Sequence, residues 1–137
     1  MNIICFETEW QYNHQEVENR FNLNTQPVLQ WLKDYHDIDI IYRRILNRAD
    51  LEYYMDYFKD KRCFKNYLIY IAAHGTSQAI WLEGEEDRCK LSDLADMSPD
   101  FFKDRIVHFS SCTTMKNKAA VEEFKRQTNA LRVSGYC

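Results

Sequence analysis

The run Asn66-Tyr67-Leu68-Ile69-Tyr70-Ile71-Ala72-Ala73-His74-Gly75 decides the fold. Its bulky residues fall on both parities. It therefore predicts a strand covered on both faces, as in a parallel sheet held between helical layers. A second run, Arg105-Ile106-Val107-His108-Phe109, has the same character and leads directly into Ser110-Ser111-Cys112. Working outward, residues 2–6, 38–46 and 130–134 are short apolar or β-branched segments and read as further strands. Between them the apolar spacing is helical. Val28, Leu29, Trp31, Leu32 and Tyr35 follow a helix start at Thr25-Gln26-Pro27. Leu51, Tyr54, Met55 and Phe58 predict a second helix opened by Ala49-Asp50. Leu91, Leu94, Ala95 and Met97 predict a brief one stopped at Ser98-Pro99, and residues 117–128 another with Ala120, Val121 and Phe124 inward. Residues 7–24 read as loop, and 78–83 as a short excursion strand. The alternation predicts an α/β fold: a three-layer sandwich around a mostly parallel central sheet, with right-handed crossovers, as a single domain over residues 1–137.

Composition narrows the function classes. At roughly 100–200 residues per domain, 137 residues give one domain. An apolar share of 45% excludes a disordered chain. Lys and Arg number 18 against 21 Asp and Glu, a net charge of −3. No basic cluster offers a nucleic-acid footprint. No apolar stretch approaches the ~18 residues of a membrane span, so neither a membrane nor a nucleic acid is an expected partner. The start, Met1 to Phe6, lacks a basic region before its apolar run and reads as a strand rather than a signal peptide. The five cysteines are odd in number and widely spaced, which points to free thiols in a reducing cytoplasm. Cys5 and Cys63 adjoin apolar segments and predict core positions; Cys89 and Cys137 predict more exposed ones.

Two segments carry reactive side chains past the carboxyl ends of strands, where open α/β sheets gather their functional groups. One ends in His74-Gly75, the other in Cys112, 112 − 74 = 38 residues later. If the two strands are neighbours, imidazole and thiol converge at one rim. A thiol of ordinary pKa, about 8.5, is only a few per cent thiolate at neutral pH. An adjacent imidazole takes its proton and later protonates a leaving amine. The position after Cys112 also suits the start of a helix, whose N-terminus favours negative charge. Gly75 permits close backbone approach, so the N–H groups of Gly75 and Cys112 are the expected oxyanion donors.

The pairing of an apolar strand ending His-Gly with a later one ending Ser-Cys resembles the caspase-like cysteine peptidases (clan CD), and within them bacterial CHAT-type domains. The matching stretches are residues 5–10, 70–75, 106–112 and 130–136. The resemblance implies a caspase-like sheet, Cys112 as nucleophile, His74 as general base, a protein or peptide substrate, no cofactor and no metal. It further implies a role in bacterial defence or signalling. By the same resemblance, Glu7 and Glu9 fall where these enzymes build the pocket for the residue before the scissile bond. Carboxylates there would select Arg or Lys; from the residues alone, both are solvated loop positions. Proteins of this kind usually continue past the strand ending Gly135-Tyr136, whereas this chain stops at Cys137. That departure favours a second reading: a catalytically inactive interaction or oligomerisation module, with a homo-oligomer or a partner protein completing it.

Plainer roles compete for several residues. His108 reads as a satisfied core histidine. The polar flanks of Cys112 (Ser110, Ser111, Thr113, Thr114) favour a rim over a core position. A zinc site from His74, Cys89, His108 and Cys112 lacks any close-spaced ligand pair. Asp87, Asp93 and Asp96 are weaker acidic candidates. Trp10, Trp31 and Trp81 read as packing residues, Trp81 also being placed to edge a cleft after the His-Gly turn.

Overall fold

The structure, a computed structural model, describes residues 1–8, 25–59, 64–82 and 88–137. In chain order the elements are β1 (Asn2–Glu7), α1 (Gln26–His36), β2 (Ile40–Arg44), α2 (Arg48–Lys59), β3 (Tyr67–Ala72), β4 (Gly75–Thr76), β5 (Ala79–Ile80), β6 (Cys89–Lys90), α3 (Leu91–Met97), α4 (Pro99–Phe102), β7 (Ile106–Ser110), α5 (Lys118–Thr128) and β8 (Arg132–Gly135). The main sheet runs β2-β1-β3-β7-β8 and every pairing in it is parallel. The expected α/β sandwich is therefore present, with a central sheet that is wholly parallel. β4, β5 and β6 form a small antiparallel sheet of their own beyond the end of β3.

Alternation within the strands divides the layers. On one face Ile4, Phe6, Ile69, Ile71, Val107 and Phe109 pack against Leu51, Met55 and Phe58 of α2, Leu94 of α3, Phe101 and Phe102 of α4 and Phe124 of α5. These side chains are essentially solvent-free, and each large one contributes on the order of 1.5–3 kcal/mol. On the other face Ile3 and Cys5 pack against Leu29 of α1, with Leu32, Ile40, Tyr42, Leu68 and Tyr70 around them. Among the described residues α1 is thus the helix of that face, seated toward β1 and β2.

Local chemistry sets the helix ends. Asn47 caps α2, its Oδ1 accepting from Asp50 N–H at 2.9 Å. Asn117 caps α5 in the same way through Ala120 N–H at 3.1 Å. The Asp93 carboxylate accepts from Lys90 N–H at 2.9 Å and fixes the start of α3. Pro99 ends α3 as expected, but it also opens α4, because a proline lacking its N–H is well suited to the first turn. Cys89 corrects the sequence reading: β6 turns it inward to full burial while Arg88 and Lys90 face solvent. Trp31 also departs from it, being 53% exposed on the outer side of α1. Cys63, Trp10 and Asp87 lie outside the described residues.

One buried charge joins the helical layer to the sheet. Arg105, just before β7, is 4% exposed. Its Nη1 donates to Phe101 O and its Nη2 to Phe58 O, both at 2.9 Å, and its guanidinium lies 5.1 Å from the Phe101 ring. Burial lowers the basicity of this guanidinium. Among the described residues no helix is long and apolar enough to cross a membrane.

Candidate functional site

β3 and β7 are neighbours in parallel register, with Tyr70 opposite His108 and Ala72 opposite Ser110. Ala73 N–H extends the ladder by donating to Ser110 O at 3.4 Å. His74 and Cys112 therefore leave the same rim, each two residues beyond the Ala72–Ser110 pair. Both are exposed.

Close backbone contact holds the two exits together. A Cβ at Gly75 would stand 2.5 Å from Cys112 O, 2.2 Å from Thr114 Oγ1 and 2.8 Å from Ser111 Cβ. Only glycine fits there. The β4–β5 hairpin is then fastened to the segment after β7 by three further bonds. Gln78 N–H donates to Thr114 O at 3.2 Å, Thr114 Oγ1 to Ala79 O at 3.2 Å, and Asn117 Nδ2 to Gln78 Oε1 at 2.9 Å. The buried Ser111 and Thr114 hydroxyls share a 2.6 Å hydrogen bond beneath the rim.

The backbone at the thiol is unusual. Thr113, next after Cys112, has φ 58° and ψ 1°, left-handed geometry in a β-branched residue. Such residues cost on the order of 1–3 kcal/mol and gather at functional turns. A 3-10 turn at Thr114–Lys116 follows, and α5 begins only at Lys118. The helix start anticipated directly after Cys112 is thus displaced by the clamp that Thr114 makes with the hairpin.

The hairpin geometry at Gly75 bears on the expected oxyanion donor. Trp81 N–H donates to His74 O at 2.8 Å, which makes Gly75 and Ile80 a non-hydrogen-bonded pair of the hairpin. In such a pair the N–H points away from the partner strand. Trp81 itself is 37% exposed beside His74, with the Arg88 guanidinium 5.2 Å from its ring. Thr8 Oγ1 donates to Trp81 O at 3.3 Å, tying the end of β1 to this rim.

Glu7 corrects the expected acidic pocket. Its side chain is fully buried. Thr25 N–H donates to both carboxylate oxygens, at 2.9 and 3.1 Å, while the Thr25 hydroxyl (2.9 Å) and the Tyr42 hydroxyl (2.6 Å) donate to Oε2. Thr25 sits at the cap position of α1 without capping it through its side chain, because its hydroxyl is turned to Glu7. The carboxylate thus pins α1 to β1 and β2 instead of facing an open pocket. Burial and the Glu7 hydrogen bond raise the Tyr42 phenol well above its ordinary value. Burial likewise pushes the neighbouring Cys5 thiol up to about 12, opposed by its contact with Thr25 and helped by Glu7. Glu9 lies outside the described residues.

His108 is half-buried instead of sealed in the core. Its ring stacks on Tyr70 with centroids 5.4 Å apart and meets Tyr136 edge-on at 6.0 Å, and Nδ1 lies 3.0 Å from Ser134 Oγ. Desolvation lowers its basicity. This cluster was missed in the sequence, although the even spacing of His108 and Ser110 places both on one side of β7. Among the described residues no three His, Cys, Asp or Glu side chains converge as metal ligands.

A model of a family of unknown function, DUF6642, matches residues 1–137. The chain belongs to the DUF6642 family. No curated protein matches it. In this DUF6642 chain, then, the site must be read from its own geometry: an exposed thiol and an exposed imidazole on adjacent strand ends, a glycine wedged against the thiol's backbone, and a strained turn directly behind the sulfur.

Proposed function

We propose that this protein is a cysteine peptidase of caspase or CHAT type in which Cys112 is the nucleophile and His74 the general base. The observation that carries the reading is the shared register: both residues emerge two positions past one paired row of neighbouring parallel strands. His74 takes the Cys112 proton, and the sulfur attacks the peptide carbonyl carbon. The developing oxyanion is met by the Gly75 N–H, with the Cys112 N–H as the second donor. As the C–N bond breaks, His74 returns its proton to the leaving amine and a thioester remains. Water, deprotonated by the same imidazole, then attacks the thioester; the acid product leaves and the thiol is restored. The substrate is a peptide or protein segment. The free thiols among the described residues, Cys5, Cys89, Cys112 and Cys137, suit a reducing cytoplasm. The resemblance to CHAT-type domains supports regulated proteolysis in bacterial defence or signalling.

The test is differential alkylation with iodoacetamide at pH 6, read site by site by mass spectrometry, alongside cleavage of a mixed peptide library. Cys112 is expected to react at least about tenfold faster than Cys137, the other exposed thiol among the described residues, and Cys112→Ala to abolish cleavage. Equal, slow labelling of both thiols with no cleavage would leave the non-catalytic interaction module as the better reading.

A further inference from the structure

Among the described residues two free thiols are exposed, Cys112 and Cys137, while Cys5 and Cys89 are fully buried. The exposed pair follows neighbouring strands. β7 and β8 run parallel, and their last paired row is Phe109 opposite Gly135. Cys137 comes two residues after that row and Cys112 three, so both leave the sheet at one end. The two exits stay together beyond it. Thr113 turns the chain with its left-handed backbone, and Lys116 N–H donates to Thr113 O at 2.9 Å, closing the turn behind the thiol. From within that turn Met115 N–H donates at 3.3 Å to Tyr136 O, the carbonyl to which Cys137 is joined. The Met115 side chain covers the same strand end, since a Cβ at Gly135 would stand 2.8 Å from its Cγ. The turn that presents Cys112 is thus folded over the end of β8. Neighbouring strands stand about 4.8 Å apart, and a disulfide joins Cα atoms about 4.4–6.8 Å apart.

We propose that Cys112 and Cys137 form a reversible redox pair: a hydroperoxide oxidises Cys112, and Cys137 resolves it as an intramolecular disulfide that blocks the nucleophile. The inference rests on Cys112 being the activated thiol of the proposed site, and adds a means of switching that site off. A redox-sensing thiol is a thiolate at working pH, open to solvent and close to a second cysteine. His74 supplies the first condition under the proposed mechanism, exposure the second, and the β7 and β8 exits the third. The chemistry balances with peroxide alone. His74 takes the Cys112 proton, the thiolate attacks one peroxide oxygen, and the O–O bond breaks. The departing hydroxide is protonated to water, and Cys112 is left as a sulfenic acid. The Cys137 sulfur gives up its proton and attacks the Cys112 sulfur; the S–O bond breaks and a second water leaves. Two thiols lose two electrons and two protons, and one peroxide becomes two waters. A small thiol reverses the link by disulfide exchange. The buried Cys5 is a poor competitor, because burial pushes its thiol up to about 12 and keeps it protonated.

The experiment titrates the reduced full chain with hydrogen peroxide, alkylates the remaining thiols with iodoacetamide, and maps every cysteine by mass spectrometry without reduction. The expected product is a monomer lighter by two hydrogens, with Cys112 linked to Cys137. Both residues should lose labelling together and regain it with dithiothreitol, and peptide cleavage should fall and return in step. Cys137→Ser should cleave like the parent before oxidation. After excess peroxide it should recover several-fold less activity, because an unresolved sulfenic acid proceeds to sulfinic acid, which dithiothreitol does not reverse. A link from Cys112 to another cysteine or to a second copy, or equal recovery of parent and Cys137→Ser, overturns the pair and leaves the nucleophile in place. A Cys112–Cys137 link in a protein that cleaves no peptide supports the pair and removes the peptidase reading. If peroxide leaves Cys112 unmodified while peptides are cleaved, the pair falls alone; if neither occurs, both fall.

Discussion

Gly75 and the carbonyl of Cys112 touch: a single carbon added at residue 75 would lie 2.5 Å from that oxygen. The contact is backbone against backbone, so neither side has a rotamer with which to yield. Gly75→Ala is expected to cost about 1–3 kcal/mol in urea unfolding, the range for overpacking a tight site. It should also slow iodoacetamide labelling of Cys112 relative to Cys137, because relief must come from shifting the turn that presents the sulfur. An unchanged midpoint together with unchanged labelling would show that the turn is more pliant than its geometry implies.

His74→Gln tests the imidazole without removing bulk. If His74 activates the thiol, Cys112 alkylation near pH 6 falls at least about tenfold, while Cys137 keeps its rate. Cleavage should fall at least as far, because the same ring also protonates the leaving amine.

The buried Glu7 is expected to matter for folding. Glu7→Ala strips Thr25 N–H, the Thr25 hydroxyl and the Tyr42 hydroxyl of a common acceptor. A buried donor left without a partner costs about 1–3 kcal/mol. Tyr42→Phe removes one donor and should cost less. Urea midpoints of the two variants give the order.

A buried thiol and a half-buried imidazole set opposite pH limits. Cys5 rises from 9.0 to about 12 on folding, so its contribution is complete below pH 9 and is lost between pH 9 and about 12. Tyr42, also raised, adds a loss on the same alkaline side. His108 is lowered below 6.5, so its contribution is complete above that value and is lost as the pH falls through its depressed pKa. Thermal melts across pH 4–11 should therefore fall off at both ends. Cys5→Ala should flatten the alkaline limb and His108→Gln the acid limb. Variants whose limbs match the parent would remove these groups as the cause.

Arg105 offers a stability test far from the rim. Arg105→Met keeps much of the side-chain volume but leaves Phe101 O and Phe58 O without their donors. Bonds from a charged donor are worth about 1.5–3 kcal/mol each, and losing both should lower the urea midpoint without changing Cys112 labelling.

The strands of the central sheet were legible because their apolar runs have no competing interpretation. Ile69 and Ile71 pack on one layer while Leu68 and Tyr70 face the other, so both parities are filled. The neighbour relation of β3 and β7 was a condition in the sequence reading, and the sheet order meets it, placing the ends of both strands at one rim. What escaped detection depends on partners distant in sequence. Glu7 is held by residues 18 and 35 positions away, and Arg105 by a carbonyl 47 positions away. No local pattern signals such bonds. Cys89 was misjudged because a two-residue strand is too short to display its alternation, and its charged neighbours suggested a solvated turn. The aromatic cluster around His108 needed the register of three strands at once.

The ladder between β3 and β7 has one more consequence. The strand ends that carry imidazole and thiol belong to one rigid frame, and the hairpin clamp braces the short exits beyond it. A change in their mutual reach is therefore a matter of the two residues past each strand and of side-chain rotation, with the sheet itself left intact.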